Sequence, residues 1–185
     1  MLGKRYIAAA SIAAALLVSV RVDDARTAQA NLEYEVKAAF LYNFAKFVEW
    51  PDNAFAAADA PIVFCIVGSN PFDGGLERVI SDRMAHGRRI LVQENAEPTP
   101  AACNLVFVPG TEDARVARVV QTAQAAQGAP VLTVGESQAF NDAGGMIRLV
   151  VEEGGVRFDI NVALAERAGL KFSSQLLKLA RKVVR

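Results

Sequence analysis

Histidine is almost missing from this chain of 185 residues, and cysteine is scarce: His86 stands alone, with Cys65 and Cys103 as the only thiols. Zinc centres draw three or four ligands from His, Cys and carboxylates, so one histidine and two cysteines exclude the usual sites. His86 lies in "RMAHGRR", a polar stretch that reads as surface rather than as a general base. There is no C-x-x-C pair, which removes the dithiol redox motif. There is also no G-x-S-x-G nucleophile elbow; "GES" at 135–137 is only a fragment of one. Neither sign of charge is in excess: 20 Lys and Arg stand against 20 Asp and Glu, which leaves no electrostatic footprint for nucleic acid. No uncharged apolar run reaches the roughly 20 residues that cross a bilayer as a helix.

What is present begins with a leader. Lys4 and Arg5 precede the uncharged apolar run "YIAAASIAAALLVSV", and "AQA" at 28–30 offers small residues at a cleavage site. That order is the layout of a secretory signal peptide over residues 1–30, cut near Ala30, which marks the mature chain for export. Cleavage leaves 155 residues, a single domain over 31–185 with enough chain for a sizeable core. The leader holds four basic and two acidic residues, so the mature chain has 16 and 18 and a net charge of −2. Two cysteines in an exported chain favour a disulfide over two buried free thiols.

The mature chain alternates helical and strand patterns. "NLEYEVKAAFLYNFAKFVEWP" carries Phe40, Leu41, Phe44, Phe47 and Val48 at helical spacing, with Lys37 on the same line. Asn31 is the expected N-cap and Pro51 the expected stop. Tyr34, Tyr42 and Trp50 fall off that stripe and are candidate anchors for a partner. The run "PIVFCIVGS" suits a strand covered on both faces, and a helix is expected over 72–84. "RRILVQ", "CNLVFV" and "PVLTVG" read as further strands. Between the last two lies the helix "EDARVARVVQTAQAA", capped by Thr111 or Asp113 and stopped by Gly128. "SQAFNDAGG" is a short helix. "MIRLVVEEGGVRFDIN" is an antiparallel hairpin in which Gly154 and Gly155 supply positive φ. Asp159 or Asn161 caps the helix "NVALAERAG". Ser173 or Ser174 caps a closing helix to the end of the chain, with Leu176, Leu177, Ala180, Val183 and Val184 inward. The pattern predicts an α/β three-layer sandwich: a mixed central sheet of about six strands flanked by helices.

The stretch "VFCIVGSNPFDGGLERVI" invites comparison with phosphate-binding loops. A P-loop needs a lysine and a hydroxyl after its last glycine, whereas Leu76 and Glu77 follow here, and G-x-G-x-x-G is not satisfied either. Gly68, Ser69 and Asn70 therefore read as a strand-to-helix turn that borders a ligand crevice at a strand's carboxyl end. No catalytic constellation, metal site or cofactor site emerges, and the residues favour a binding or regulatory domain over an enzyme.

Three stretches carry a family likeness: "KAAFLYNFAKFVEWP" at 37–51, "PIVFCIVGSNPF" at 61–72 and "VRFDINVALAERAGLKFSSQLLKLARKV" at 156–183. Together they resemble the YfiR-like family of small periplasmic proteins, and "GRRI", "CNLVFV" and "GGMIRLVVEEGGVRFDIN" extend the likeness along the chain. The resemblance implies an α/β fold, a homodimer and no catalytic activity. It implies a partner, the periplasmic sensor domain of an inner-membrane diguanylate cyclase, which is held inactive. Cyclic di-GMP signalling and biofilm formation fall as a result, until an OmpA-like outer-membrane lipoprotein sequesters the repressor. Cys65 and Cys103 match the family's structural disulfide, while a second cysteine pair found in some members is missing, since 144–161 holds no cysteine. The rival expectation is a periplasmic small-ligand sensor without a cyclase partner, its site near Gly68, Ser69 and Asn70.

Overall fold

The computed structural model describes residues 6–94, 103–125 and 130–185. In chain order the elements are α1 (Tyr6–Phe47), β1 (Val48–Glu49), β2 (Ile62–Ile66), α2 (Gly75–Ile80), β3 (Met84–Ala85), β4 (Arg88–Gln93), β5 (Leu105–Val108), α3 (Asp113–Ala125) and β6 (Leu132–Gly135). They continue with α4 (Gln138–Asp142), β7 (Ile147–Glu152), β8 (Gly155–Asn161), α5 (Val162–Arg167), β9 (Lys171–Phe172), α6 (Ser174–Leu179) and β10 (Lys182–Val184). Lys4, Arg5 and Gly128 fall outside the described residues.

One sheet of eight strands runs β10-β8-β7-β6-β5-β2-β4-β3, and β1 pairs with β9 in a separate two-stranded ribbon. Strands β4, β2, β5, β6 and β7 are parallel; β3 and β8 are antiparallel to β4 and β7, and β10 is parallel to β8. The sheet is thus mixed and helices cover both faces, as the periodicities imply. Alternation along each strand divides the apolar residues between two cores. Leu105 and Phe107 of β5 face α1 with Leu41, Phe44, Phe64 and Phe158. Val106 and Val108 face α3, where Val116, Val119, Val120 and Ala123 close the second core with Phe140. Every residue of β5 and β6 is buried, as expected for strands covered on both sides. The second core also holds the disulfide between Cys65 and Cys103.

Several elements depart from the sequence pattern. The sheet has eight strands rather than about six, because β3 and β10 are too short to show a period. α1 passes straight through Asn31, which is interior and not a cap; Ala28, Gln29 and Ala30 before it are good helix formers. The helix stops at Phe47, ahead of Pro51, because Val48 and Glu49 pair with Phe172 and Lys171. α2 spans Gly75–Ile80 instead of 72–84, bounded by positive φ at Asp73, Gly74 and Asp82. The turn Glu153-Gly154 has both φ positive; Gly155 does not, being the first residue of β8 paired with Glu152.

The expected closing helix ends at Leu179, and Lys182–Val184 form β10 against β8. Val183 and Val184 are β-branched and favour a strand, and the Arg181 amide is fixed on the Phe158 carbonyl at 2.8 Å. Of the five residues expected on that helix's inner face only Leu176 is buried, and Val184 is 40% exposed. Ser173 and Asn161 are the caps, accepting from the amides of Leu176 and Leu164. Thr111 lies inside the short 3-10 turn Gly110–Glu112, and Asp113 is the first residue of α3.

Candidate functional site

The sheet's topology singles out one end. The chain leaves β2 for β4 on one side and leaves β5 for β6 on the other, so the strand order reverses between β2 and β5. In open α/β sheets, ligands bind at such a reversal, outside the carboxyl ends of the strands. Gly68 follows β2 there and Gly110 follows β5. Gly68 has φ +69°, and a Cβ on it would run into the Glu112 carboxylate, so glycine fits this turn on both grounds. Asn70 fixes the turn: its Oδ1 accepts from the Phe72 amide at 2.9 Å, and its Nδ2 donates to Glu94 at 2.7 Å.

α1 closes the same end with a buried charge cluster. Lys37, 4% exposed, donates to Glu136 Oε1 at 2.5 Å and pairs with Glu33 one turn back. Glu136 Oε2 accepts from the Gly110 amide at 2.6 Å and from the Tyr34 hydroxyl at 3.2 Å. Tyr34 also stands edge-on to Phe72, with centroids 5.5 Å apart. Burial, then the Glu136 charge, pushes the Tyr34 phenol well above its ordinary range, so it remains a donor at physiological pH. This cluster went largely unread in the sequence. Its one signal was Lys37, a cation on the apolar stripe, and its partner lies 99 residues away in "GES".

Tyr42 and Trp50 sit apart from Tyr34. The Tyr42 hydroxyl approaches the Met84 carbonyl at 3.4 Å, and Arg83 lies over its ring. Trp50 meets Phe55 and His86 edge-on, with centroids 6.5 and 6.1 Å away. Arg88 stacks on Phe55 at 3.8 Å and holds the carbonyls of Ala57 and Ala60. Trp50, Phe55, His86 and Arg88 line a cavity of 420 Å³ together with Glu49, Pro51 and Asp52. The Trp50 indole N–H is buried and has no acceptor. His86 is tied to α1: its Nε2 lies 3.1 Å from the Ala45 carbonyl, which can only accept, so Nε2 carries the proton. All three aromatic candidates pack partly against the core on the α1 side.

A third polar group crosses the far side of the sheet. Asp159, 8% exposed, receives a two-pronged grip from Arg181, Nε to Oδ1 at 2.8 Å and Nη2 to Oδ2 at 2.6 Å, and a contact from Arg148 at 3.2 Å. Burial alone would raise the Asp159 carboxyl, but the Arg181 and Arg148 guanidiniums outweigh it and hold it below the ordinary carboxylate range. Arg181 is raised in turn, chiefly by its hydrogen bond to Asp159. Asp159 is therefore an ion-pair centre, and the cap is Asn161. Among the described residues, no group of three His, Cys, Asp or Glu side chains is placed to hold a metal ion.

These features define a three-layer α/β sandwich whose polar clusters tie its elements together on both faces of the sheet. The YfiR/HmsC-like family matches residues 34–181, and the chain belongs to that family. Among solved structures, it is similar to a conserved domain protein from Vibrio cholerae O1 biovar El Tor str. N16961, with 11% identity and a TM-score of 0.47 over 65% of this chain and 54% of the other. It is likewise similar to the ABC domain in complex with L-Trp from Streptococcus pneumonia, with 13% identity and a TM-score of 0.47 over 67% and 55%. The chain spans about half the length of these solved structures.

Proposed function

We propose that this protein is a periplasmic regulatory binding protein that docks on the periplasmic sensor domain of an inner-membrane diguanylate cyclase and holds the cyclase inactive. The observation that carries this reading is membership of the YfiR/HmsC-like family across residues 34–181. The physical mechanism is a population shift: the protein binds the silent conformation of the sensor more tightly than the active one. Moving such an equilibrium from 1:99 to 99:1 requires about 10⁴-fold preference. The cavity beside Trp50 supports docking, since it joins an aromatic wall and an arginine, the residue types that dominate binding energy at interfaces. Export by cleavage after Ala30 is compatible with the packing, because Thr27 to Leu32 are exposed and the buried part of α1 begins at Lys37. In this reading the protein acts as a homodimer, and an OmpA-like outer-membrane lipoprotein competes for it.

Deleting the gene tests the reading. Cyclic di-GMP and surface attachment rise in the deletion strain, wild-type protein lowers them again, and Trp50→Ala lowers them less at equal abundance. Unchanged cyclic di-GMP in the deletion strain overturns the proposal.

The second reading is a small-ligand sensor with its site at Gly68, Ser69 and Asn70, favoured by the strand-order reversal there. The Glu112 carboxylate lies over Gly68 and also pairs with Arg115, so the site suits a donor-bearing metabolite. Strong thermal stabilisation by one such metabolite, together with unaltered cyclic di-GMP in the deletion strain, is the result that favours it.

A further inference from the structure

The sheet face that carries α3 and α4 is only partly covered. The apolar core beneath those helices takes nothing from β7, β8 or β10. On that open part, register aligns three charged side chains: Arg148 of β7 is opposite Asp159 of β8, and Asp159 is opposite Lys182 of β10. Residues opposite one another across a pleated sheet share a face. With Arg181 and the polar side of α4 they line a pocket of 300 Å³. That is the lower end of the size of small-molecule sites.

The lining is unbalanced. Three cations, Arg148, Arg181 and Lys182, share it with one carboxylate, Asp159. Asp159 already accepts three N–H donors from the two arginines. Glu152 takes the remaining Arg181 nitrogen from outside the pocket, and Gln138 takes Arg148 Nη1 while donating to Asp142. Three donors are left over. Arg148 Nε is buried without an acceptor, which is unfavourable for a polar group. Lys182 has no carboxylate partner among the described residues. Asn161 also lines the pocket and uses its side-chain oxygen to cap α5, so only its amide N–H remains to bind. What the pocket lacks is a negative acceptor.

We propose that this pocket binds a small anion through a carboxylate or phosphate group that accepts from Lys182 and the Asn161 side-chain amide, beside the Arg148 guanidinium. The site is separate from the Trp50 cavity, so its failure leaves the docking reading intact. The test is thermal unfolding of the full-length protein titrated with inorganic phosphate, with malonate and with sodium chloride at matched ionic strength. Phosphate or malonate raises the midpoint saturably above the chloride control, and whichever anion does so identifies the preferred group. Lys182→Gln, which breaks no ion pair, weakens that anion about tenfold, the worth of one charge-assisted hydrogen bond. Lys178→Gln, on exposed α6 surface, leaves the affinity unchanged. Midpoints that follow the chloride control for both anions, or a Lys182→Gln titration that overlays the wild type, overturn the proposal.

Discussion

Phe140 shows how single residues set the packing. Its ring lies where a Cβ on Gly135 or on Gly145 would be, so both positions are closed to any larger residue. Gly145→Ala is expected to destabilise the fold by roughly 1–3 kcal/mol through overpacking. Gly155→Ala, whose Cβ meets nothing nearer than 3.8 Å, is expected to be tolerated; chemical denaturation of the two variants checks the contrast. The disulfide joins positions 38 residues apart. Chain entropy gives it about 4 kcal/mol, so Cys65→Ser, or a reductant, lowers the melting temperature by on the order of 10 °C in calorimetry. Asp159 makes a pH-dependent contribution. Its folded-state pKa is lowered, so the stability it adds is present above about pH 4 and is lost as the pH falls through the folded value. Asp159→Asn is therefore less stable than wild type at pH 7, and the gap narrows toward pH 2, as urea midpoints across that range will show. The cysteine pair was legible from an even count in an exported chain. The role of Asp159 was not, because its partners lie 11 and 22 residues away, one on β7 and the other just before β10.

At the scale of elements, the central parallel strands were readable because their apolar, β-branched runs have no polar face. The ends of elements were less readable. The sequence "KLARKVVR" fits a helical stripe as well as a strand, and long-range pairing with β8 decides for β10. The start of the chain shows the converse: nothing breaks the helix at Asn31, so a local cap residue does not mark a boundary. α1 is locked to the sheet by the Lys37–Glu136 pair, whose side chains are 5% and 10% exposed. Removing one partner of a buried pair leaves an uncompensated charge, so Lys37→Met is expected to cost about 3 kcal/mol. Adding Glu136→Gln to that variant recovers part of the loss. Equilibrium unfolding of the two single variants and the double variant measures the coupling.

The whole molecule combines a three-layer body with three polar or aromatic sites that no single stretch of sequence reveals. The scarcity of histidine and cysteine already turned the reading from chemistry toward binding, and the family match over 34–181 agrees with that direction. Tyr34, Tyr42 and Trp50 looked equivalent along the sequence, since all three fall off one stripe. In the fold Tyr34 belongs to the buried charge cluster, whereas Trp50 borders an open cavity and keeps an unpaired donor. Docking on a membrane cyclase is the claim on which the functional account rests. The most direct measurement is affinity capture from solubilised membranes with the purified, disulfide-intact protein as bait, followed by mass spectrometry, with Trp50→Ala as the matched control. The account predicts a diguanylate cyclase with a periplasmic sensor domain in the wild-type capture and its depletion from the control. A folded wild-type bait that recovers no cyclase would contradict it.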